Sequence, residues 1–229
     1  MKIGVVIPVI KKDYLYNLMK QFEEQSQTPD KILIMNNIDN SLSRILAGKT
    51  IDFQSWSGER SDLPVVVHTP KEIMGVNASW MYGIRCMIEA GMDIISILND
   101  DIIITQNFFL VLGASMTYAK HAAVLCPHVT TSHLVLHNAF FGYLKQMAKR
   151  EGWAFSIRAE IAKKMPAIPN KLKTFCGDDW IFHHCQPWYK MTTNPIRHLV
   201  GGSMRDAGSP RPDMLKEKRI FAELMRPIR

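Results

Sequence analysis

The sequence predicts an α/β protein, with a mostly parallel sheet flanked by helices and a smaller mixed part towards the C-terminus. Three observations predict it. Residues 3–9 (IGVVIPV) form a continuous, largely β-branched run, as in a strand buried on both faces. Leu15, Leu18, Met19 and Phe22 then recur at helical spacing, and residues 31–36 (KILIMN) form a second apolar run, so strand, helix and strand succeed one another as in a βαβ unit. A later apolar run, residues 93–98 (DIISIL), leads straight into Asn99, Asp100 and Asp101. The C-terminal end of a strand is where open α/β sheets bind ligands.

Taken in order, the first helix is expected over 13–25 and is stopped by Thr28, Pro29 and Asp30. Residues 37–62 are polar and mixed, with Gly48 and Gly58, and read as a loop carrying a short helix. Residues 64–68 (PVVVH) give a third strand, and Val76 to Ala90 a helix closed by Gly91. After the strand at 93–98 come a helix at roughly 106–120 and a strand at 122–126. Beyond about residue 130 the pattern changes: SHLVLHNAFFG suggests antiparallel or irregular pieces, followed by short helices at 157–164 and 178–186. Asp213 to Met225 reads as a basic amphipathic helix, with Leu215, Phe221, Leu224 and Met225 roughly on one face. The expected division is one main domain, residues 1–205, and a tail helix within 206–229.

A chain of 229 residues suits one sizeable domain, and its 47% hydrophobic content is enough for a real core. No run is long and apolar enough to span a bilayer, and the apolar start reads as a buried strand rather than a signal peptide, so a cytoplasmic location is expected. Cys86, Cys126, Cys176 and Cys185 form no CxxC pair and are too few for a disulfide framework, which points to reduced thiols. The formal charge is +7, and the basic excess lies after residue 144. That asymmetry suits an anionic partner (nucleic acid, a membrane surface or a phosphorylated substrate) or simply a solvated basic face.

Two carboxylates at the tip of a buried strand are costly unless paired or metal-bound. Asp100 and Asp101 therefore suggest a hard-oxygen site for Mg²⁺ or Mn²⁺ that also ligates a diphosphate, with capping of the next helix as the alternative. Asp178 and Asp179, in CGDDW at 176–180, again place two acids at a turn and helix start. One of them is a candidate general base, and helix capping is again the alternative. His198, in HLVGGS at 198–203, is a candidate metal ligand beside two glycines that let backbone approach a phosphate, although a lone His is usually packed or exposed. His183, His184, Cys176 and Cys185 fit no standard zinc spacing. Trp153, Trp180, Trp188 and Tyr189 are candidates to stack on a sugar or base, though most are expected to be core.

The order and spacing of these pieces resemble glycosyltransferase family 2, the inverting enzymes of the GT-A (Rossmann-like) fold. VVIPV, with Pro8 and Val9, is similar to the first strand that begins the family's nucleotide pocket. Asn36 and Asn37 stand where a second strand ends in residues that contact the base or ribose, in place of the usual acid. Gly75 and Gly83-Ile84-Arg85 match a helix pattern leading to the DXD-like motif. In LNDD, Asn99 replaces the first Asp, Asp100 lies within the motif, and Asp101 matches its last carboxylate, the usual metal ligand. GWAFSIR at 152–158 resembles a Gly-aromatic-aliphatic-Arg stretch. Gly177-Asp178-Asp179 resembles Gly-Glu-Asp, whose second acid, here Asp179, is the catalytic base. His198 matches the His that completes the metal shell.

The resemblance covers roughly residues 1–205. It implies a metal-dependent, inverting transfer of one sugar from a nucleotide-sugar donor, a UDP-sugar first, to an acceptor hydroxyl, with Mn²⁺ or Mg²⁺ as cofactor. The QxxRW element of processive synthases is missing, so a single transfer is expected. The leading acceptor is a hydroxymethylated base in double-stranded DNA, as for phage-type DNA glycosyltransferases, since the C-terminal half is basic and shows no hydrophobic anchor. The alternatives are a saccharide or lipid-linked acceptor at a membrane surface, and a non-catalytic binder of nucleotide-sugar or nucleic acid. A nucleotidyltransferase is disfavoured because IPVIKKDY replaces the Gly-rich, Arg-containing loop it needs after the first strand.

Overall fold

A computed structural model describes residues 1–9, 12–37, 63–129, 144–145, 152–199 and 211–226. The N-terminal half follows the expected order. Strand β1 (Ile3–Val9) is buried along its whole length. Helix α1 (Lys12–Glu23) buries Leu15, Leu18, Met19 and Phe22 against the sheet. Strands β2 (Lys31–Asn36) and β3 (Val65–His68) add in parallel on one side of β1. Helix α2 (Val76–Glu89) then crosses back over β1, and Gly83 allows the close approach: a Cβ there would lie 2.3 Å from a Val6 methyl. Gly91, at φ +72°, turns the chain from α2 into β4 (Ile94–Leu98), the parallel neighbour on the other side of β1.

The remaining elements are β5 (Ile102–Ile103), α3 (Phe108–Tyr118), β6 (Val124–Val129), β7 (Leu144–Lys145), β8 (Ala154–Arg158), α4 (Ala159–Ala162), α5 (Gly177–His184), β9 (Trp188–His198) and α6 (Arg211–Leu224). The sheet order is β3-β2-β1-β4-β8-β6-β9-β5, with β7 paired to β9. β8 is antiparallel to both β4 and β6, whereas β9 runs parallel to β6. A mostly parallel sheet thus continues into a mixed part. One apolar cluster, including Phe22, Phe108 and Phe109, packs α1 and α3 on the sheet. A second, including Trp80, Ile84, Phe155 and Phe182, packs α2 and α5.

Two elements depart from the expected pattern. The helix expected over 157–164 is shorter, because residues 154–158 are strand β8, buried between β4 and β6, and only 159–162 are helical. The long β9 was not expected; it runs through Thr192, Thr193, Asn194 and Pro195, residue types common in turns. The strand absorbs them through an irregular register: Pro127 pairs with Met191, but His128 pairs with Pro195. Asn194, almost fully buried, is satisfied there by donating to the Phe108 carbonyl at 3.1 Å and accepting from the Thr105 hydroxyl at 3.3 Å. The stretch SHLVLHNAFFG, at 132–142, and the expected loop at 38–62 lie outside the described residues.

The tail helix α6 lies against the body of the molecule. Ile220, Phe221 and Met225 pack on the cluster that holds α2 and α5. The buried Glu217 carboxylate accepts hydrogen bonds from the backbone N–H groups of Thr174, at 3.1 Å, and Phe175, at 2.8 Å. Among the described residues, no helix is long and apolar enough to cross a membrane.

Candidate active site

Four strand ends meet at the acidic turn. β4 stops at Leu98, which pairs with Ala154 of antiparallel β8, so Gly152 and Trp153 stand beside Asn99, whose N–H donates to the Trp153 carbonyl at 2.9 Å. The short β5 begins just after Asp101 and pairs Ile102 with His198 at the end of β9. The Leu199 N–H closes that ladder on the Asp101 carbonyl at 2.9 Å. Residues far apart in sequence are thereby brought together, with His198 Nε2 3.3 Å from Asp101 Oδ1. Trp153 stacks on the His198 ring with centroids 4.2 Å apart and planes 8° apart, which fixes the imidazole orientation.

This junction lines a cavity of about 260 Å³. Of the residues singled out in the sequence, Pro8, Asn99, Asp100, Asp101, Trp153, Asp178 and His198 line it together. Asp100 and Asp101 are each only 3% exposed. Neither caps the following helix: α3 begins later, at Phe108, with Asn107 in the capping position.

The others lie elsewhere. Val9 is core, and its carbonyl accepts the Asn37 N–H at 3.0 Å. Asn36 donates to the Thr69 hydroxyl at 3.2 Å. Asn37 is buried and ties the end of β2 to the approach to α2, donating to Ser79 Oγ at 2.9 Å and accepting from the Met74 N–H at 3.1 Å. Gly75 precedes α2, where a Cβ would sit 2.5 Å from the Lys173 carbonyl, and it lines a separate, larger groove. Asp179 is half-buried on the first turn of α5 and is not part of the cavity lining.

The wall opposite the acidic turn comes from α2 and residues 174–176. Trp80, Phe175 and Cys176 line the cavity without having been singled out as substrate contacts; a tryptophan on the buried stripe of a helix carries no sequence signal beyond core. Asn77 fastens this wall by donating to the Leu172 and Phe175 carbonyls, both at 3.0 Å. Cys176, at φ 59°, holds a left-handed conformation that costs a non-glycine residue about 1 kcal/mol or more. It turns the chain into α5 and makes no side-chain cap. Burial, then the neighbouring Asp179, Asp178 and Glu217 carboxylates, push its thiol up to about 12. Space around the acid pair is tight. A Cβ on Gly152 would lie 2.0 Å from Asp178 Oδ2, and one on Gly177 2.0 Å from Asn77 Oδ1.

Among the described residues, no group of three or more His, Cys, Asp or Glu side chains could hold a metal ion, and all four cysteines are free thiols. A pair does exist. The buried Asp101 carboxylate and His198 imidazole offer an oxygen and a nitrogen at the rim of the cavity. Mg²⁺ and Mn²⁺ are commonly held by one or two protein ligands plus substrate phosphates and water, so this pair fits a cation that arrives with a diphosphate.

The fold is the GT-A fold of glycosyltransferases. The structure is similar to that of residues 1–349 of TarS from S. aureus in complex with UDP-GlcNAc, with a TM-score of 0.67 and 13% identity over 100% of this chain and 68% of that one. It is similar to GalNAc-T7 with UDP, GalNAc and Mn²⁺, with a TM-score of 0.68 and 14% identity over 97% of this chain and 48% of that one. It also resembles the mannosyltransferase PcManGT from Pyrobaculum calidifontis in complex with GDP-Man and Mn²⁺, with a TM-score of 0.65 and 12% identity over 100% of this chain and 65% of that one. No protein-family model matches the sequence, and no curated protein is significantly similar to it.

Proposed function

We propose that the chain is a metal-dependent, inverting glycosyltransferase that moves one sugar from a nucleotide-sugar, a UDP-sugar first, to an acceptor hydroxyl. The observation that carries this reading is the meeting of Asp101 and His198 at 3.3 Å, on the wall of a cavity at the C-terminal end of β4. In the similar folds the solved complexes contain UDP-GlcNAc, UDP or GDP-Man, two of them with Mn²⁺.

Asp101 and His198 would hold Mn²⁺ or Mg²⁺, which when bound supplies Lewis-acid neutralisation of the diphosphate leaving group. The rest falls to the chain's own residues. Trp153 keeps the His198 ring in place by stacking. Pro8, at the end of β1, forms the floor beside the acidic turn. Consecutive residues on a helix point about 100° apart, so Asp178 and Asp179 cannot share one role. Asp178 lies against Gly152 in the cavity wall and is assigned to the donor sugar. Asp179, one step round the first turn of α5, is assigned as the base that takes the acceptor proton.

Two acceptor classes are to be compared. The basic surplus of the C-terminal half supports a hydroxymethylated base in DNA. The cations at 163–173 surround an apolar groove, which favours a saccharide or lipid-linked hydroxyl at a membrane surface. The test is UDP-sugar and GDP-sugar turnover in Mn²⁺ and in EDTA, with candidate acceptors analysed by mass spectrometry. Donor turnover that needs Mn²⁺ is the expected result. If neither donor binds nor turns over with the metal present, the transferase reading is abandoned. Mass added to duplex DNA alone would move the acceptor assignment to DNA.

A further inference from the structure

On the far side of α2 from the acidic cavity lies a larger depression of about 750 Å³, between α2 and residues 162–173. Its size falls within the roughly 300–1,000 Å³ typical of small-molecule sites. Its floor is aliphatic and thioether: Met81, Ile84, Ile88, Met165, Ile168 and Leu172. Among the described residues its rim carries Arg85, Lys163 and Lys173, all exposed, against one acid, Glu89. On the segments that border it Lys71, Lys164 and Lys171 are exposed together with Glu72 and Glu160, so cations outnumber acids around the groove. At its edge Ile73 is 72% exposed.

The chemistry selects among anionic partners. Among the described residues no aromatic side chain lines this groove, so they offer no platform on which a nucleobase stacks. A groove for phosphates alone would have no use for an apolar floor of this extent. An apolar trough bordered by cations instead matches a molecule with an aliphatic chain and an anionic head. A basic patch attracts an anionic membrane surface, and the apolar trough beside it offers a place for a lipid chain. We infer that this groove is a docking site for an anionic membrane lipid, with an acyl chain on the floor formed by α2 and residues 165–172 and the head group on Arg85, Lys163 and Lys173. Ile73 then enters the hydrocarbon boundary beside it. The first turns of α2 and residues 172–176 separate this groove from the acidic cavity.

The test is flotation of the full chain with phosphatidylcholine vesicles and with phosphatidylcholine–phosphatidylglycerol vesicles, alongside UDP titration of each variant. Three variants probe head, chain and edge: Lys163→Glu with Lys173→Glu, Ala167→Trp to fill the trough from its exposed rim, and Ile73→Asp. The wild type is expected to bind anionic vesicles at least about ten-fold better than neutral ones, and the double charge reversal to remove that preference. Ala167→Trp and Ile73→Asp are expected to weaken binding about five-fold or more with the cations intact. Unchanged thermal melting and UDP affinity in the variants show that the fold and the acidic cavity are preserved. Equal binding to both vesicles, or binding insensitive to Ala167→Trp, overturns the assignment. So does duplex DNA that binds the wild type, displaces the vesicles and is lost in the charge-reversed variant, because the surface would then be a nucleic-acid surface. Failure here leaves donor turnover untouched, and failure of donor turnover leaves the vesicle result standing.

Discussion

Two depressions share the first turns of α2, and their characters are opposite. Val76 and Trp80 face a small cavity with Asp100, Asp101 and Asp178 in its wall. Asn77, Ala78 and Met81 face a large groove with Arg85, Lys163 and Lys173 around it. One helix separates them because its successive residues point to different sides. The acidic cavity gathers negative charge in a buried place, a cost that only a cation or hydrogen-bonded partners offset. The groove keeps its positive charge at an exposed rim, where solvation is nearly free, and leaves the middle apolar. On the two proposals above the first site takes a cation and the second an anionic, aliphatic molecule, so they should respond to different perturbations.

The largest effect is expected from Asp101→Asn. It removes the carboxylate that the β5–β9 ladder holds beside His198, so metal-dependent transfer should fall by about 100-fold or more. Mn²⁺ titration should lose its tight phase while vesicle flotation is unchanged. If both change together, the two depressions are not independent and the contrast between them breaks.

Next comes Asp179→Asn. Loss of a general base costs about 100- to 10,000-fold in kcat and should leave the Kd for UDP intact. Asp178→Asn should instead raise the donor KM more than it lowers kcat, since that carboxylate lies in the cavity wall against Gly152. Steady-state kinetics on the two variants decide the roles, and the opposite pattern would exchange them.

A smaller effect, felt by both depressions, is expected from Glu217→Ala. This buried carboxylate holds two backbone N–H groups in the wall that the cavity and the groove share. Removing it should destabilise the fold by about 1–3 kcal/mol in urea unfolding. UDP affinity and vesicle binding should both weaken. Glu217→Gln, which keeps an acceptor, should fall between the wild type and the alanine variant.

The N-terminal half was largely legible in the sequence because a doubly covered parallel strand leaves an unbroken apolar run, as at 3–9, 31–36 and 93–98. β9 was not, because its pairing with β6 jumps from Met191 to Pro195 and skips Thr192, Thr193 and Asn194, an irregularity that no sequence period announces. At the candidate site, chemistry was easier to read than geometry. Adjacent acids after an apolar strand announced Asp100 and Asp101, and the ordered motifs brought in His198. Asn36 and Asn37, read as nucleotide contacts, make local hydrogen bonds to Thr69, Ser79 and Met74 that their identity does not foretell. Glu217 was invisible for a related reason: an acid among the many charges of this helix looks like a surface charge until the segment it anchors is placed beneath it.

The smallest effect concerns Cys176, which belongs to the shared wall but has no part in the proposed chemistry. Burial pushes this thiol up to about 12, and nearby Asp179, Asp178 and Glu217 add to the shift. Burial alone pushes Cys185 up to about 11. In the unfolded chain both titrate near the ordinary thiol value of 9.0. Between those pH values the folded state keeps protons that the unfolded state has released, so their contribution to stability is full below about pH 9 and is lost as pH rises towards 11–12. Urea unfolding across that range should show the decline, and Cys176→Ser should flatten part of it. At neutral pH the same shift leaves about 1,000-fold less thiolate at Cys176 than at an ordinary thiol, so alkylation should reach the half-buried Cys86 first. Rapid labelling of Cys176 in the free protein would mean that the wall between the two depressions opens readily, and the opposition between them would then describe only one of its states.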